Sequence, residues 1–207
     1  MKYYSQWNQD QWLNENLFKS KRNGFFVDVG AHDGETLSNT LFFEKELGWS
    51  GICIEPIPEV FHQLQTKRNA TCIQGCAYNR DGKIPFKRIK GYSEMLSGIE
   101  EAYCQKHSNR IRSELASFGG CEETIEVDTF RLATLFEKYS ISHVDYLSID
   151  TEGSELQILE GIDFDKVRID VIEIEVNYHN PIFKTFFENN GYSFKVKLGG
   201  DDVYTKN

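Results

Sequence analysis

Apolar and polar residues follow one another along the chain in a rhythm that predicts short buried strands separated by amphipathic helices. Short apolar runs bounded by glycine or acidic residues indicate strands, and apolar residues three or four positions apart indicate helices. The predicted helices cover residues 8–19, 36–45, 60–68, 130–139, 154–161 and 182–190. The predicted strands cover residues 25–29, 52–54, 71–74, 84–89, 124–127, 144–149, 171–176, 192–196 and 203–205. Strands that alternate with helices predict an α/β fold with a parallel sheet and helices on both faces.

The apolar pattern weakens between residues 91 and 122, where many charged residues occur. The apolar residues that remain are spaced roughly as on a helix, which predicts a lid or an acceptor-side insertion. A chain of 207 residues suits a single domain with a substantial core. We therefore predict one domain over residues 1–207, with an N-terminal helical segment at 1–24 and the lid at 91–122.

Composition narrows the classes of partner. The net charge of −9 argues against nucleic acid as a partner. The chain has five cysteines and no C-x-x-C pair, which disfavours a disulfide framework or a common zinc site and indicates reduced thiols in the cytoplasm. No apolar run approaches the length of a transmembrane helix, so no membrane span is expected. Nothing in the sequence indicates an oligomeric state.

The segment FFVDVGAHDGETLSNT, Phe25–Thr40, carries the first candidate chemistry. An apolar strand ends at a glycine turn before a predicted helix, and this arrangement cradles nucleotide-like ligands. The spacing of Asp28, Gly30 and Gly34 is D-x-G-x-x-x-G, which differs from the G-x-G-x-x-G of dinucleotide sites. A carboxylate at the strand end suits a ligand with an ammonium group, such as S-adenosylmethionine.

A second acid, Glu55, closes the next predicted strand, 21 residues after Gly34. Nucleotide-binding α/β domains place near this position a carboxylate that accepts hydrogen bonds from both ribose hydroxyls. The alternative is that Asp28 and Glu55 only cap strands and solvate loops. The two acids together with the glycines favour the binding interpretation.

Further acids follow later strands. Parallel strands end at one edge of a sheet, so Asp28, Glu55, Asp150 and Glu175 are expected to gather there. The helix predicted after Asp150 has a dipole that stabilises negative charge near its N-terminus, which accounts for the presence of Glu155 there. The same effect accounts less well for Asp150. A carboxylate that closes a buried strand has a raised pKa, which suits a general base. For Glu173, on the same strand as Glu175, a buried structural acid and a functional acid are equally compatible with the pattern.

Four stretches of the sequence resemble one family, the FkbM-type methyltransferases. They are VDVGAHDG, ICIEPIPEVF, VDYLSIDTEGSELQILEGIDF and VIEIEV. The most specific part is the I-D-x-E-G-x-E-x-x-x-L pattern at Ile149–Leu159, and S-Q-x-x-Q-D at Ser5–Asp10 is similar to one branch of the family. The resemblance runs from about Ser5 to Val176.

This resemblance implies a Rossmann-like class I methyltransferase fold with an antiparallel C-terminal strand. It also implies S-adenosylmethionine-dependent O-methylation, commonly of a sugar hydroxyl or of a natural-product hydroxyl or carboxyl, and we expect a hydroxyl of a sugar, glycan or related small molecule. Asp28 and Gly30 would hold the methionine end of the cofactor and Glu55 the ribose, while Cys76 and Ala77 would lie beside the adenine and Ser93 near the open side. The full predicted set of cofactor contacts is Asp28, Gly30, Ala31, His32, Gly34, Glu55, Pro56, Cys76, Ala77, Ser93 and Asp150.

The catalytic prediction centres on Asp150 as the base that removes the acceptor proton. Glu152, which the resemblance places beside the transferred methyl, is the next candidate, followed by Glu175 and His179. A metal alternative exists, because Asp150, Glu175 and Asn177 could give oxygen ligands to Mg²⁺.

Lys83, Lys87, Arg88 and Lys90 form a basic cluster, which indicates either a solvated strand or a contact for an anionic group on the acceptor.

Two other functions compete with methyl transfer. A nicotinamide-dependent oxidoreductase would share the α/β fold but lacks its G-x-G-x-x-G here. A non-catalytic binding module would keep the same acids without turnover.

Overall fold

The computed structural model describes residues 1–177 and 181–207 and contains two sheets. The strands are β1 (Phe25–Val29), β2 (Ser50–Glu55), β3 (Thr71–Gln74), β4 (Cys76–Ala77), β5 (Gly82–Lys90), β6 (Gly98–Ile99), β7 (Cys121–Phe130), β8 (His143–Ile149), β9 (Arg168–Glu175), β10 (Tyr192–Leu198) and β11 (Asp201–Lys206). The α-helices are α1 (Gln9–Leu13), α2 (Leu41–Leu47), α3 (Pro58–Lys67), α4 (Gln105–Phe118), α5 (Leu132–Lys138), α6 (Glu155–Glu160) and α7 (Ile182–Asn189).

The larger sheet has seven strands in the order β3-β2-β1-β8-β9-β11-β10. All neighbours pair in parallel except β11, which is antiparallel to both β9 and β10. The strand order reverses at β1, which lies between β2 and β8. Ligands bind α/β sheets at such a reversal, beyond the carboxyl ends of the strands. The predicted fold class, including the antiparallel C-terminal strand, is confirmed.

Alternate residues of the central strands pack into two cores, one on each face of this sheet. Val27 and Leu147 lie in the core shared with α5, α6 and α7. Phe26 and Tyr146 lie in the opposite core with α1, α2 and α3. The strands are therefore covered on both faces, as their nearly continuous apolar sequences require.

The second sheet has the order β4-β7-β5-β6 and was not predicted. β5 and β7 pair antiparallel along the whole of β5, from Gly82 opposite Thr129 to Lys90 opposite Cys121. These strands are longer than predicted because each stabilises the other beyond its apolar centre. The segment expected to form a lid lies between them and contains β6 and α4. Of α4, only His107 and Ile111 are buried.

Several helices differ from their predicted bounds, and α3 begins two residues earlier than predicted. α2 begins at Leu41, because residues 31–40 instead form a loop in which Asp33 accepts hydrogen bonds from the N–H groups of Glu35 and Thr36. α1 is short and continues as a π-helical turn over Asn14–Phe18. α5 begins two residues later than predicted. Within the described residues, no helix is long and apolar enough to cross a membrane.

Candidate active site

A cavity of about 390 Å³ lies at the carboxyl edge of the larger sheet. One half is lined from β1 to β4 and the other from β8, β9 and β11, so the two halves meet at the reversal in strand order. The first half, called here the cofactor half, includes Asp28, Gly30, Ala31, His32, Glu55, Pro56, Cys76 and Ala77. The second half, called here the acceptor half, includes Asp150, Glu152, Glu175, Asn177, Gly200 and Asp201, together with Gln6, Trp7 and Gln9.

Gly30 brings the two halves into backbone contact. It has a φ of +88°, and a Cβ added to it would lie 1.8 Å from the carbonyl oxygen of Asp150. The N–H groups of Gly30 and Ala31 both donate to the carbonyl oxygen of Ile54, at 3.1 and 3.0 Å. Only glycine permits both the backbone angle and the close approach. This residue therefore fixes the loop after β1 against the end of β8.

Asp28 lines the cavity and also belongs to a buried polar network. Its carboxylate accepts a hydrogen bond from Thr40 Oγ1 at 2.5 Å and lies 3.7 Å from Arg68, whose side chain is fully buried. Arg68 also donates to Glu44 at 2.8 Å. Burial raises the pKa of Asp28, while Arg68 and the Thr40 hydroxyl oppose that rise. Asp28 therefore combines the structural role considered above with a place at the cavity.

Glu55 is 5% exposed at the end of β2. Its Oε1 accepts a hydrogen bond from the N–H of Ile57 at 2.8 Å, which fixes the carboxyl group. Burial raises the pKa of Glu55 to about 8, although the N–H groups of Ile57 and His32 lower it. A fixed, buried acid of this kind gains from any ligand that donates hydrogen bonds to its charged form.

Two predicted cofactor contacts do not line the cavity. Gly34 has a φ of +81° and packs against Leu64 and Arg68, so glycine is needed there for the backbone and for packing. Ser93 is buried and donates a hydrogen bond to Glu114 at 2.7 Å. The next residues, Glu94 and Met95, line the cavity instead.

The remaining predicted residues of the cofactor half line the cavity. Burial raises the pKa of the Cys76 thiol, so this cysteine lines the cavity as a neutral group. His32 adopts a φ of +48°, and its ring nitrogens lie 3.7 Å from Asp33 and 3.5 Å from Glu94. His32 thus connects the loop after β1 with the segment that covers the cavity.

Asp150 and Glu175 both line the acceptor half, and each of them shifts the pKa of the other. The side chain of Asp150 is exposed to the cavity, and the protein that surrounds it, followed by the charge of Asp201, raises its pKa to about 7. Burial, followed by the charge of Asp150, raises the pKa of Glu175 further. Two carboxyl groups in contact share one proton, because both cannot ionise together at low cost. Glu175 therefore holds the proton more tightly than Asp150, which is the first of the two to ionise as the pH rises.

Glu152 lies beside this pair in a left-handed backbone conformation, with a φ of +58°. Its Oε2 accepts a hydrogen bond from the amide nitrogen of Asn177 at 3.1 Å and lies 3.4 Å from His107 Nδ1 and 3.8 Å from Arg110. Burial, followed by the charge of Asp150, raises the pKa of Glu152 to about 8. His179, the remaining catalytic candidate, lies outside the described residues.

Sequence reasoning missed the contribution of α4. His107 and Arg110 are far from Glu152 in sequence, and the second sheet brings them to the site. The N-terminal residues Gln6, Trp7 and Gln9 were likewise missed as cavity residues. The available signal was the S-Q-x-x-Q-D pattern, whose polar residues surround a tryptophan without forming an amphipathic helix.

The basic cluster does not line the cavity. Each of its residues pairs with glutamate, as Lys83 does with Glu126 at 3.1 Å and Lys90 with Glu123 at 2.8 Å. Lys87 and Arg88 are paired in the same way, with Glu100 and Glu59. The cluster is therefore a set of surface ion pairs, and its interpretation as an acceptor contact was wrong.

Comparisons with known proteins bear on this site. Methyltransferase 1 of Beauveria bassiana (strain ARSEF 2860) is 23% identical over 188 residues, which cover 84% of this chain and 74% of that protein. Methyltransferase sdnD of Sordaria araneosa is 24% identical over 195 residues, with coverages of 82% and 74%.

The crystal structure of methyltransferase FkbM from Methylobacillus flagellatus KT has the same fold, with a TM-score of 0.50 at 16% identity. The match covers 90% of this chain but only 44% of that protein. The family model of the methyltransferase FkbM domain matches residues 28–194, which contain most of both halves of the cavity. The chain therefore belongs to the FkbM methyltransferase family and is an S-adenosylmethionine-dependent enzyme.

Proposed function

We propose that this methyltransferase transfers the methyl group to a hydroxyl oxygen of a sugar, glycan or related small molecule. The observation that carries the proposal is the position of Asp150, whose carboxyl group is exposed to the cavity at the point where its two halves meet. Transfer to oxygen requires removal of a proton that water does not take readily, and a carboxylate with a raised pKa suits that task.

The cofactor half fits S-adenosylmethionine. The volume of the cavity is in the range of small-molecule sites, and Gly30 has no side chain that would obstruct the loop. The buried carboxyl of Glu55 suits two ribose hydroxyls, and Asp28 offers negative charge toward an ammonium group. Cys76 and Ala77 form an uncharged surface on which the adenine ring of the cofactor can pack.

When bound, the cofactor supplies a methyl group on a positively charged sulfur. Asp150 accepts the acceptor's hydroxyl proton as the new carbon–oxygen bond forms. Glu175 donates its hydrogen bond to Asp150 and so holds the carboxylate in one orientation. Glu152 and Asn177, hydrogen-bonded to each other, lie where they can bind the acceptor's other hydroxyls. If Asp150 is not the base, Glu152 or Glu175 is the next candidate.

The segment between residues 91 and 122 is proposed to cover the bound substrates. Glu94, Met95, Ser97, Gly98 and Ile99 line the cavity from this segment, and Arg110 lines it from α4. Exclusion of water strengthens the interactions of the acids inside. The acceptor is proposed to be a small molecule or glycan rather than nucleic acid, in keeping with the acidic charge of the chain.

Mg²⁺ is a second proposal for the acceptor half, with Asp150, Glu175 and Asn177 as ligands. The oxygen donors suit this ion. The proton shared by Asp150 and Glu175 weighs against it, because metal ligation requires both carboxylates to be ionised. Removal of metal with EDTA tests it: metal dependence predicts lost activity that Mg²⁺ restores, and a carboxylate base predicts no change.

Membership of the family removes the oxidoreductase alternative, which was already weakened by the missing glycine fingerprint. The decisive experiment combines two measurements. At a hundredfold excess over its Kd, S-adenosylhomocysteine should increase the free energy of unfolding by ~2.7 kcal/mol and so raise the melting temperature, whereas NAD should not. Incubation with methyl-labelled cofactor and a panel of methyl hexopyranosides should then give labelled ethers. Cofactor binding without transfer to any hexopyranoside would overturn the proposed acceptor class.

A further inference from the structure

The acceptor half of the cavity is completed by a segment close to the start of the chain, Ser5–Asp10. Asp10 is buried, and its carboxylate accepts hydrogen bonds from the N–H of Tyr4 at 2.7 Å and from Ser5 Oγ at 2.6 Å. The Gln9 side chain accepts from the N–H of Trp7 at 2.7 Å and donates to Asp201, the first residue of β11. The segment is thus held in place by hydrogen bonds of the Asp10 and Gln9 side chains.

This arrangement exposes the side chain of Trp7 at the cavity. Its indole ring covers Gly199 so closely that a Cβ added there would lie 2.3 Å from two ring atoms. Gly199 also has a φ of +60°, which favours glycine. Trp7 nevertheless remains 54% exposed and lines the cavity. One side of the ring therefore rests on the turn between β10 and β11, and the other is free for a ligand.

The position of Trp7 places it on the acceptor side rather than the cofactor side. Gly200 follows the glycine under the ring, and a Cβ added to it would lie 4.0 Å from Asn177 Oδ1. Asn177 in turn is hydrogen-bonded to Glu152. Contacts therefore run from Trp7 to the catalytic acids through the β10–β11 turn, on the opposite side of β1 from Glu55.

We propose that Trp7 is the acceptor-binding platform of the enzyme and that the acceptor it selects is a pyranose ring. This inference rests on the proposed function and deepens it. A pyranose has an apolar C–H face that packs on an aromatic ring, and hydroxyl groups at its edge that need donors and acceptors. The wall around Trp7 supplies these from Gln6, Asn177 and Asp201. An exposed tryptophan among a few placed polar groups is typical of a specificity pocket.

The test measures binding of methyl hexopyranosides to the protein saturated with S-adenosylhomocysteine, by saturation-transfer difference NMR. In the wild type we expect transfer to the ring C–H protons of at least one glycoside. Trp7→Ala should weaken that binding by about tenfold, and Trp7→Phe should keep most of it. Phe194→Ala is the matched control, because Phe194 is also an exposed aromatic, at 51%, and does not line the cavity.

The shift in melting temperature with S-adenosylhomocysteine is recorded for every variant. An unchanged shift in Trp7→Ala shows that the cofactor half is intact, so that weaker glycoside binding belongs to the platform. Equal glycoside binding by the wild type and Trp7→Ala would overturn the platform, and failure of the wild type to bind any hexopyranoside would overturn the acceptor class. Neither result would affect cofactor binding. No shift in the wild type itself would instead remove the proposed function, and the platform with it.

Discussion

At the scale of single residues, the chemistry of this protein depends on carboxyl groups whose surroundings give them different protonation states. Glu175 keeps its proton because burial and the charge of Asp150 both oppose its ionisation. Asp150 ionises near neutrality, and Asp33, outside the cavity, stays charged because Lys67 and three hydrogen bonds stabilise its carboxylate. Carboxyl groups in different surroundings thus suit different roles, which are proposed to be base for Asp150 and proton holder for Glu175, while Asp33 supports a loop.

Asp150→Asn should lower kcat by ~10²–10⁴ while cofactor affinity stays unchanged, because the amide keeps the shape of the carboxylate but accepts no proton. Methyl-transfer kinetics on an acceptor identified as above measure this. In the wild type the base must be ionised, so kcat should rise from pH 5 and level off above about pH 8, in line with a pKa of about 7. Wild-type turnover by Asp150→Asn would mean that Asp150 is not the base, and Glu152 or Glu175 would be the next candidate.

Glu55→Ala should weaken binding of S-adenosylhomocysteine by roughly 1.5–3 kcal/mol, or roughly 10- to 150-fold in Kd, because the ribose hydroxyls lose a carboxyl group whose charged form their hydrogen bonds stabilise. Isothermal calorimetry measures the change. Glu59→Ala is the control, since Glu59 lies on the exposed surface of α3 and pairs only with Arg88 among the contacts described. Equal affinities of the wild type and Glu55→Ala would mean that Glu55 only supports the end of its strand.

At the scale of elements, Arg68 connects three segments around the cofactor half. It follows α3, pairs with Glu44 of α2 and lies beside Asp28 of β1. It also donates to Thr40 Oγ1 at 2.9 Å and to the carbonyl oxygen of Gly34 at 3.3 Å. One buried guanidinium therefore holds the helices and the loop after β1 together. It also fixes the backbone of that loop, which carries Gly30.

Arg68→Met should destabilise the fold by roughly 3–5 kcal/mol, because it leaves the buried carboxyl groups of Glu44 and Asp28 without their partner. Chemical denaturation measures this. Arg80→Met removes a surface pair with Glu101 in which both side chains are about half exposed, and it should cost at most about 1 kcal/mol. Similar losses from the two substitutions would show that the buried network contributes no more than a surface ion pair.

The elements that sequence patterns predict well are those whose signal is local. β1, β8 and the acids that close β1, β2 and β8 follow from apolar runs and spacing alone. The second sheet could not be predicted, because the pairing of β5 with β7 joins segments about 40 residues apart, across a stretch with few apolar residues. His107 reached the site for the same reason. The prediction that Ser93 contacts the cofactor was one residue off: Glu94 lines the cavity and Ser93 does not. Neighbouring loop residues point in different directions, and sequence spacing does not show which of them faces the cavity.

At the scale of the whole molecule, the buried acids couple stability to pH. Burial raises the pKa of Glu55 from 4.5 to about 8, so the folded protein keeps a proton that the unfolded chain releases. The contribution of this group to stability is complete below about pH 4.5 and is lost as the pH rises toward 8. Glu152 and Asp150 act in the same direction.

Glu55→Gln should therefore raise the melting temperature of the unliganded protein at pH 8 and leave it nearly unchanged at pH 5, because the amide needs no proton to stay buried. Differential scanning calorimetry at the two pH values measures this. Glu59→Gln, at an exposed site, should show no such difference. A uniform effect of Glu55→Gln at both pH values would mean that Glu55 ionises equally in the folded and unfolded chains.

The hydrogen bond between Gln9 and Asp201 joins residues 192 positions apart, and this separation has a consequence for folding. Within residues 25–77, which build much of the cofactor half, β1 pairs with β2 and β2 pairs with β3. The wall that carries Trp7 takes its final position only after the last strand, β11, has inserted between β9 and β10. Contacts of such length form slowly. Formation of the acceptor wall therefore depends on the long-range docking of β11 beside β9 and of Gln9 onto Asp201.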